Sequence, residues 1–233
     1  MAQQPVSYHV DVDFETFKQM YLAQNRAYMR KTGIGAAVVG VLLFAFSLMG
    51  FVDTQTVEGL GMLALSIVIA AFGIAMAVRP FTFWQSRKQE VYSYFASHGA
   101  QVSNGDSLES LRCSYDVRLE ELGFVEVLAD GSSARLPWFT LTGVSEGCAF
   151  GVVLTCDDGK NSSMLYNMLG VNAYLREGLE GEPLLVPAAV VSGNPGLVQQ
   201  VADLVSQSRE TYGRKGTKAD DAARDRLAAW LQG

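Results

Sequence analysis

The chain has 233 residues, 24 acidic against 18 basic side chains, a formal net charge of −6, and 49% hydrophobic against 18% charged residues. An acidic excess repels polyanions, so nucleic acid is excluded from the expected partners. Three cysteines (Cys113, Cys148, Cys156) without a CxxC pair and only two histidines (His9, His98) argue against a disulfide framework, a metal cluster or a histidine-centred catalytic set.

Val6, Tyr8, Val10 and Val12 alternate with Ser7, His9 and Asp11, the period of a half-buried strand. Asp13 is a helix-capping residue, and Phe14, Phe17, Met20 and Tyr21 follow at helical spacing, so residues 1–32 read as a strand and a helix. Two uncharged blocks of twenty residues come next, Gly33 to Val52 and Gly59 to Val78. At ~1.5 Å per residue each spans about 30 Å, the hydrocarbon thickness of a bilayer. They are expected to be two transmembrane helices, 33–52 and 59–78, joined by an external loop, 53–58.

Arg26, Arg30 and Lys31 precede the first block and Arg79, Arg87 and Lys88 follow the second, whereas the loop carries Asp53 and Glu58 and no base. Basic flanks stay in the cytoplasm, which predicts a multi-pass protein of the cell membrane with both termini cytoplasmic. Arg30, Lys31, Arg79, Trp84, Arg87 and Lys88 are the expected anchors at the membrane interface. Small residues recur four apart in both blocks (Gly33 and Ala37, Ala36 and Gly40, Ser66 and Ala70, Gly73 and Ala77), the pattern by which spans pack in lipid, within one hairpin or in a homo-oligomer.

Trp84, Lys88, Val91 and Phe95 extend the helical spacing, so residues 79–99 read as a juxtamembrane helix continuing from the second span and ending near His98 and Gly99. A polar stretch, Gln101 to Ser110, leads to residues 100–212, where the period becomes two. Strands are expected at Cys113 to Leu119, Phe124 to Leu128, Ser133 to Trp138, Leu141 to Ser145, Phe150 to Cys156 and Lys160 to Tyr166, with turns at Glu120 to Gly123, at Asp130-Gly131 and at Asp157 to Gly159. Asn167 to Gly178 reads as a short helical insertion and Leu184 to Pro187 as extended chain. Pro195 then opens a helix whose stripe of Leu197, Val198, Val201, Leu204 and Val205 lies across the sheet. The expected fold class is therefore a membrane α-helical hairpin plus an α+β cytoplasmic domain, an antiparallel meander closed by a C-terminal helix. Residues 213–233 are expected to be a flexible tail with a frayed amphipathic end carrying Trp230.

Asp13-Phe14-Glu15-Thr16-Phe17 before the spans, Arg135-Leu136-Pro137-Trp138 leading through Leu141 to Val144-Ser145-Glu146, and Leu184-Leu185-Val186-Pro187 ahead of the last helix stand in an order that resembles the YcxB-like family of bacterial two-pass membrane proteins. The resemblance implies a C-terminal domain similar to a bacterial pleckstrin-homology (PH) domain and implies no activity. Ala188 and Ala189 stand where such proteins often carry bases.

Candidate chemistry is sparse. Glu120-Glu121 and Asp157-Asp158 lie in turns, where solvation leaves a carboxylate unsuited to general acid work. Gly143, Gly147 and Gly151 lack phosphate-loop spacing, and neither span carries an ionisable residue of the kind that marks an ion pathway. No cofactor is expected. The reading is a non-enzymatic interaction or regulatory protein, integral to the bilayer, whose PH-like domain binds a protein or peptide. Trp138 and Trp230 are candidate partner contacts. The second reading is lipid-headgroup binding through a basic pocket of Arg112, Arg118 and Arg135, set against a balance of −9 between Ala100 and Tyr212.

Overall fold

The structure is a computed structural model and describes residues 6–51, 56–156, 183–213 and 218–233. The expected strand Lys160 to Tyr166, the turn before it, the insertion Asn167 to Gly178 and residues 53–55 of the expected loop lie outside the described residues. The chain divides into two compact units, residues 25–83 and residues 1–24 with 84–233.

The smaller unit holds the later part of one helix and the whole of a second. The first, α1 (Phe14–Phe46), starts in the larger unit, where Asp13 accepts hydrogen bonds from Thr16 N at 2.7 Å and Thr16 Oγ1 at 2.8 Å. That carboxylate satisfies an otherwise orphaned amide, and the bond holds the Asp13 carboxyl below its usual range. A π-helical stretch, Ser47–Phe51, follows. α2 (Val57–Val78) starts at Thr56, whose hydroxyl accepts from Gly59 N at 3.1 Å. Both helices are long and apolar enough to cross a membrane. Their small residues face each other: a Cβ on Gly33 would lie 2.6 Å from Ala77 N, and one on Gly40 would overlap the backbone of Ala70. The large side chains Ile34, Val38, Leu42, Leu65 and Ile74 point outward.

The helix expected to continue from α2 does not. α2 ends at Val78, because Pro80 has no N–H for the helical ladder and its ring blocks the preceding turn. Residues 80–83 are irregular. Helical structure resumes as a 3₁₀ turn (Trp84–Arg87) and α3 (Lys88–Ser97), which stops at Gly99 with φ of 83°.

The larger unit holds two antiparallel sheets. The first runs in the order β1 (Ser7–Asp13), β2 (Arg112–Leu119), β3 (Gly123–Leu128), β4 (Ser133–Pro137). β1 pairs with β2 from Ser7 opposite Arg118 to Asp13 opposite Arg112, so the strand before the apolar helices completes a sheet made after them. A 3₁₀ turn, Trp138–Thr140, leads to the second sheet, ordered β5 (Leu141–Cys148), β6 (Gly151–Cys156), β7 (Leu184–Pro187). Period-two alternation sends Val10, Val12, Tyr115, Val117, Phe124 and Leu136 into a core shared with Val153, Leu154 and Leu184. The short helix α4 (Ala188–Gly193), unexpected from its sequence, packs Val190 and Val191 on that core, and α5 (Leu197–Tyr212) closes it with Leu197, Val201 and Val205.

The C-terminal segment is not frayed. α6 (Asp221–Gln232) is capped by Asp220, which accepts from Ala223 N at 2.8 Å. Its Leu227 and Leu231 are buried with Phe139, Tyr212 and Ala219. A second small core therefore orders residues expected to be a flexible tail.

Candidate functional site

A groove of about 820 Å³ opens between β5 and α5. Its first wall is a bulge. Leu141 lies opposite Cys156 and Ser145 opposite Leu154, so Thr142, Gly143 and Val144 face only Thr155. Gly143 has φ of 75°, a conformation costly for a side chain. Threonine hydroxyls hold the bulge: Thr142 Oγ1 donates to Thr155 O at 3.1 Å, Val144 N donates to Thr142 Oγ1 at 3.3 Å, and Thr155 Oγ1 donates to Val144 O at 3.2 Å. Because both main-chain groups of Val144 are engaged, an added strand has no ladder to join at that residue. Recognition there falls to side chains.

The opposite wall is α5, which presents Ala202, Val205, Ser206, Arg209 and Glu210. Arg209 is oriented by its Nε, which donates to Phe139 O at 3.2 Å. The end of the groove is formed where Gly213, at φ of 70°, stops the helix and Lys218 N donates to Tyr212 O at 3.2 Å. The Lys218 methylenes cross Gly213, with Cγ 3.2 Å from where a Cβ would stand. Val144 is 54% exposed at the lip. The groove thus combines an apolar strip of Val144, Ala202 and Val205 with a polar end of two cations and one carboxylate, a surface suited to an apolar side chain beside an acidic one.

A second polar cluster lies inside the domain. His98 sits between the rings of Tyr94 (4.2 Å) and Tyr115 (5.0 Å), its Nδ1 donates to Tyr94 O at 2.8 Å, and its Nε2 is 3.9 Å from Glu126 Oε2. Burial first, and then the Glu126 charge, raise the Tyr8 phenol well above its ordinary range. His98 and Glu126 are only 2% and 1% exposed, so the cluster meets no substrate and acts on the core alone. Its signal in the sequence was a glutamate in the inward register of β3, between Phe124 and Leu128.

Compared with known proteins, the chain matches no family model, no curated protein and no solved structure.

The residues singled out by sequence fall in several places. Arg30 and Lys31 are exposed on α1, and Arg79 is exposed just after α2. Trp84 stands edge-on to Phe14, Phe17 and Tyr21 at 5.4 to 5.9 Å. Arg87 lies over the Tyr21 ring at 5.3 Å and donates to Glu90 at 2.7 Å, and Lys88 lies over Tyr92 at 5.0 Å. Trp84 and Arg87 thus meet in one aromatic cluster of the strand domain.

Trp138 is fully buried, with its ring 5.6 Å from Phe124 and its Nε1 donating to Glu120 O at 3.0 Å. It is a core residue and presents nothing to a partner. Trp230 is half-buried on the chain's own surface. Its Nε1 donates to Glu120 Oε2 at 2.7 Å, its carbonyl accepts from Arg135 Nη1 at 2.8 Å, and the Arg135 guanidinium covers its ring at 5.6 Å.

The three arginines of the basic-pocket reading do not converge. Arg118 and Arg135 flank Val125 in one cross-strand row. Arg112 lies six residues from Arg118 along β2, about 20 Å away, with its Nη1 on the carbonyls of Glu109 and Leu111. On the same outer face His9 clasps two carboxylates, with Nδ1 2.7 Å from Asp116 Oδ1 and Nε2 3.3 Å from Asp11 Oδ1. The hydrogen bond that His9 donates to Asp116 is the main cause of a raised His9 pKa.

Proposed function

We propose that the chain is a membrane-anchored, non-enzymatic interaction or regulatory protein of the YcxB-like kind, in which α1 and α2 cross the bilayer and a cytoplasmic PH-like domain binds a protein segment in the groove between β5 and α5. The carrying observation is the groove itself, with an oriented Arg209 and Lys218 beside an apolar strip in a domain otherwise acidic. The anchoring is supported by two apolar helices whose large side chains face outward, a surface that needs an apolar solvent. The pairing of β1 with β2 supports placing both flanks of the hairpin on one side of the membrane, and the basic flanks make that side cytoplasmic. Among the described residues, seven strands in two sheets closed by α5 support the PH-like reading.

The partner segment carries an apolar side chain over Val144, Ala202 and Val205 and a carboxylate at the Arg209 and Lys218 end. A photo-crosslinking residue in place of Val144, in the full-length chain in native membranes, is expected to capture a recurrent partner that the same residue at Gly105, on an open loop, does not. Lys218→Glu should lower that capture about tenfold, the scale of one charge-assisted contact. Equal capture from both positions, or none in repeated trials, would overturn the reading.

A further inference from the structure

Gln24 lies on α1 at the edge of the strand unit and grips the end of β6. Its Nε2 donates to Cys156 O at 2.9 Å and its Oε1 accepts from Cys156 N at 2.8 Å. Nε2 is also 2.9 Å from Cys156 Sγ. Two bonds to the N–H and C=O of one residue are what a neighbouring strand supplies. The last pair between β6 and β7 is Leu154 with Leu184, so two residues further on a helix side chain takes up both main-chain groups of the strand. Five residues earlier on α1, Gln19 Oε1 accepts from Ala149 N at 2.8 Å, in the turn that joins β5 to β6. α1 therefore holds β6 at both ends.

The residue beside Cys156 is Thr155, whose hydroxyl and carbonyl hold the bulge of Thr142, Gly143 and Val144 that forms one wall of the groove. In the other direction α1 runs unbroken from Gln24 to Phe46, and residues 25–32 contain neither glycine nor proline, the usual causes of a kink. Gln24 thus stands where α1 leaves the strand unit, in contact with Cys156 and one peptide unit from the bulge.

We propose that Gln24 couples the attitude of α1 in the bilayer to the shape of the groove, so that bilayer thickness regulates partner binding at the domain. This regulation rests on the membrane-anchored reading above. Hydrophobic mismatch supplies the input, since a span longer than its bilayer tilts to bury its length. The responding element is the bulge, whose hydroxyl contacts with Thr155 lie one peptide unit from Cys156.

The test reconstitutes the full-length chain into vesicles of short-chain (dimyristoleoyl) or long-chain (dierucoyl) phosphatidylcholine. Maleimide labelling of Cys156 is followed by mass spectrometry with Cys113, buried in the other sheet, as internal reference, together with amide exchange at Thr142 to Val144. Both readouts are expected to differ between the two lipids by about threefold or more, with Cys113 unchanged. In Gln24→Leu, labelling of Cys156 rises in both lipids and the dependence on thickness disappears. Unchanged labelling of Cys113 in this variant certifies its fold, and Gln24→Glu, which keeps the acceptor for Cys156 N, should retain part of the dependence. Wild-type readouts insensitive to thickness, or a variant as sensitive as the wild type, would overturn the coupling and leave the groove reading standing. A chain that fails to float with either vesicle would overturn the anchoring and the coupling together.

Discussion

The hairpin and the strand domain bury opposite kinds of side chain. In the hairpin the interior is Gly33, Gly40, Ser66 and Gly73, while Ile34, Val38 and Leu42 are 57%, 52% and 53% exposed. In the domain the interior is Trp138, Phe124 and Leu154, while His9, Asp11 and Arg118 lie outside. On the proposed membrane anchoring, two sorting rules act in one chain. In water, apolar area decides which residues go inside. Between two helices in an apolar medium that force vanishes, and closeness of approach decides instead.

The contrast is tested most severely at Gly40. Gly40→Leu places a side chain against the Ala70 backbone and should destabilise the closed hairpin by about 3 kcal/mol, whereas Gly35→Leu, which meets nothing within 4 Å, should be close to neutral. Thermal unfolding in detergent compares the two, and equal losses would mean that the small residues do not set the packing. In the domain, where apolar burial governs, Leu231→Asp should cost about 2 kcal/mol and release α6 alone. Limited proteolysis would then release residues 213–233, and an undisturbed α6 would show that its small core is dispensable.

The smallest effect expected is at the surface. Because the folded pKa of His9 is raised, its clasp on Asp116 and Asp11 stabilises fully below the ordinary histidine value near 6.5 and loses its contribution as pH rises through the raised value. Solvent screening keeps the effect under about 1 kcal/mol. The thermal midpoint of wild type should exceed that of His9→Gln near pH 5.5 and match it near pH 9. A gap that is constant with pH would assign the difference to packing.

Local pattern carried much of this architecture. The Asp13 cap, the alternation in β2 and β3, the Asp130-Gly131 turn and the stripe on α5 are each decided by neighbours within a few residues. What the pattern could not carry was pairing at long range: nothing near Val10 names Tyr115 as its partner, and nothing near Gln24 names Cys156. Two differences have local signals: Pro80 breaks the helical spacing that Trp84, Lys88, Val91 and Phe95 resume beyond it, and Asp220 stands where it can cap a helix that the few apolar residues of 219–231 do not by themselves announce. The groove is not legible in the sequence because its walls come from β5 and α5, separated by residues 149–196, and its shape depends on a bulge that period-two spacing does not encode.

Finally, β1 is synthesised before the two apolar helices and its partner β2 after them, with Ser7 opposite Arg118. At about 5 to 20 residues per second, β1 waits for several seconds without its partner, a bare strand edge exposed to aggregation or to chaperones. Once the helices fold back on each other, they shorten the effective loop that must close and lower its entropic cost. A substitution at Gly40 or Gly73 that keeps the helices apart would therefore leave a longer effective loop to close before β1 meets β2, and slow maturation of residues far from either glycine is its expected sign.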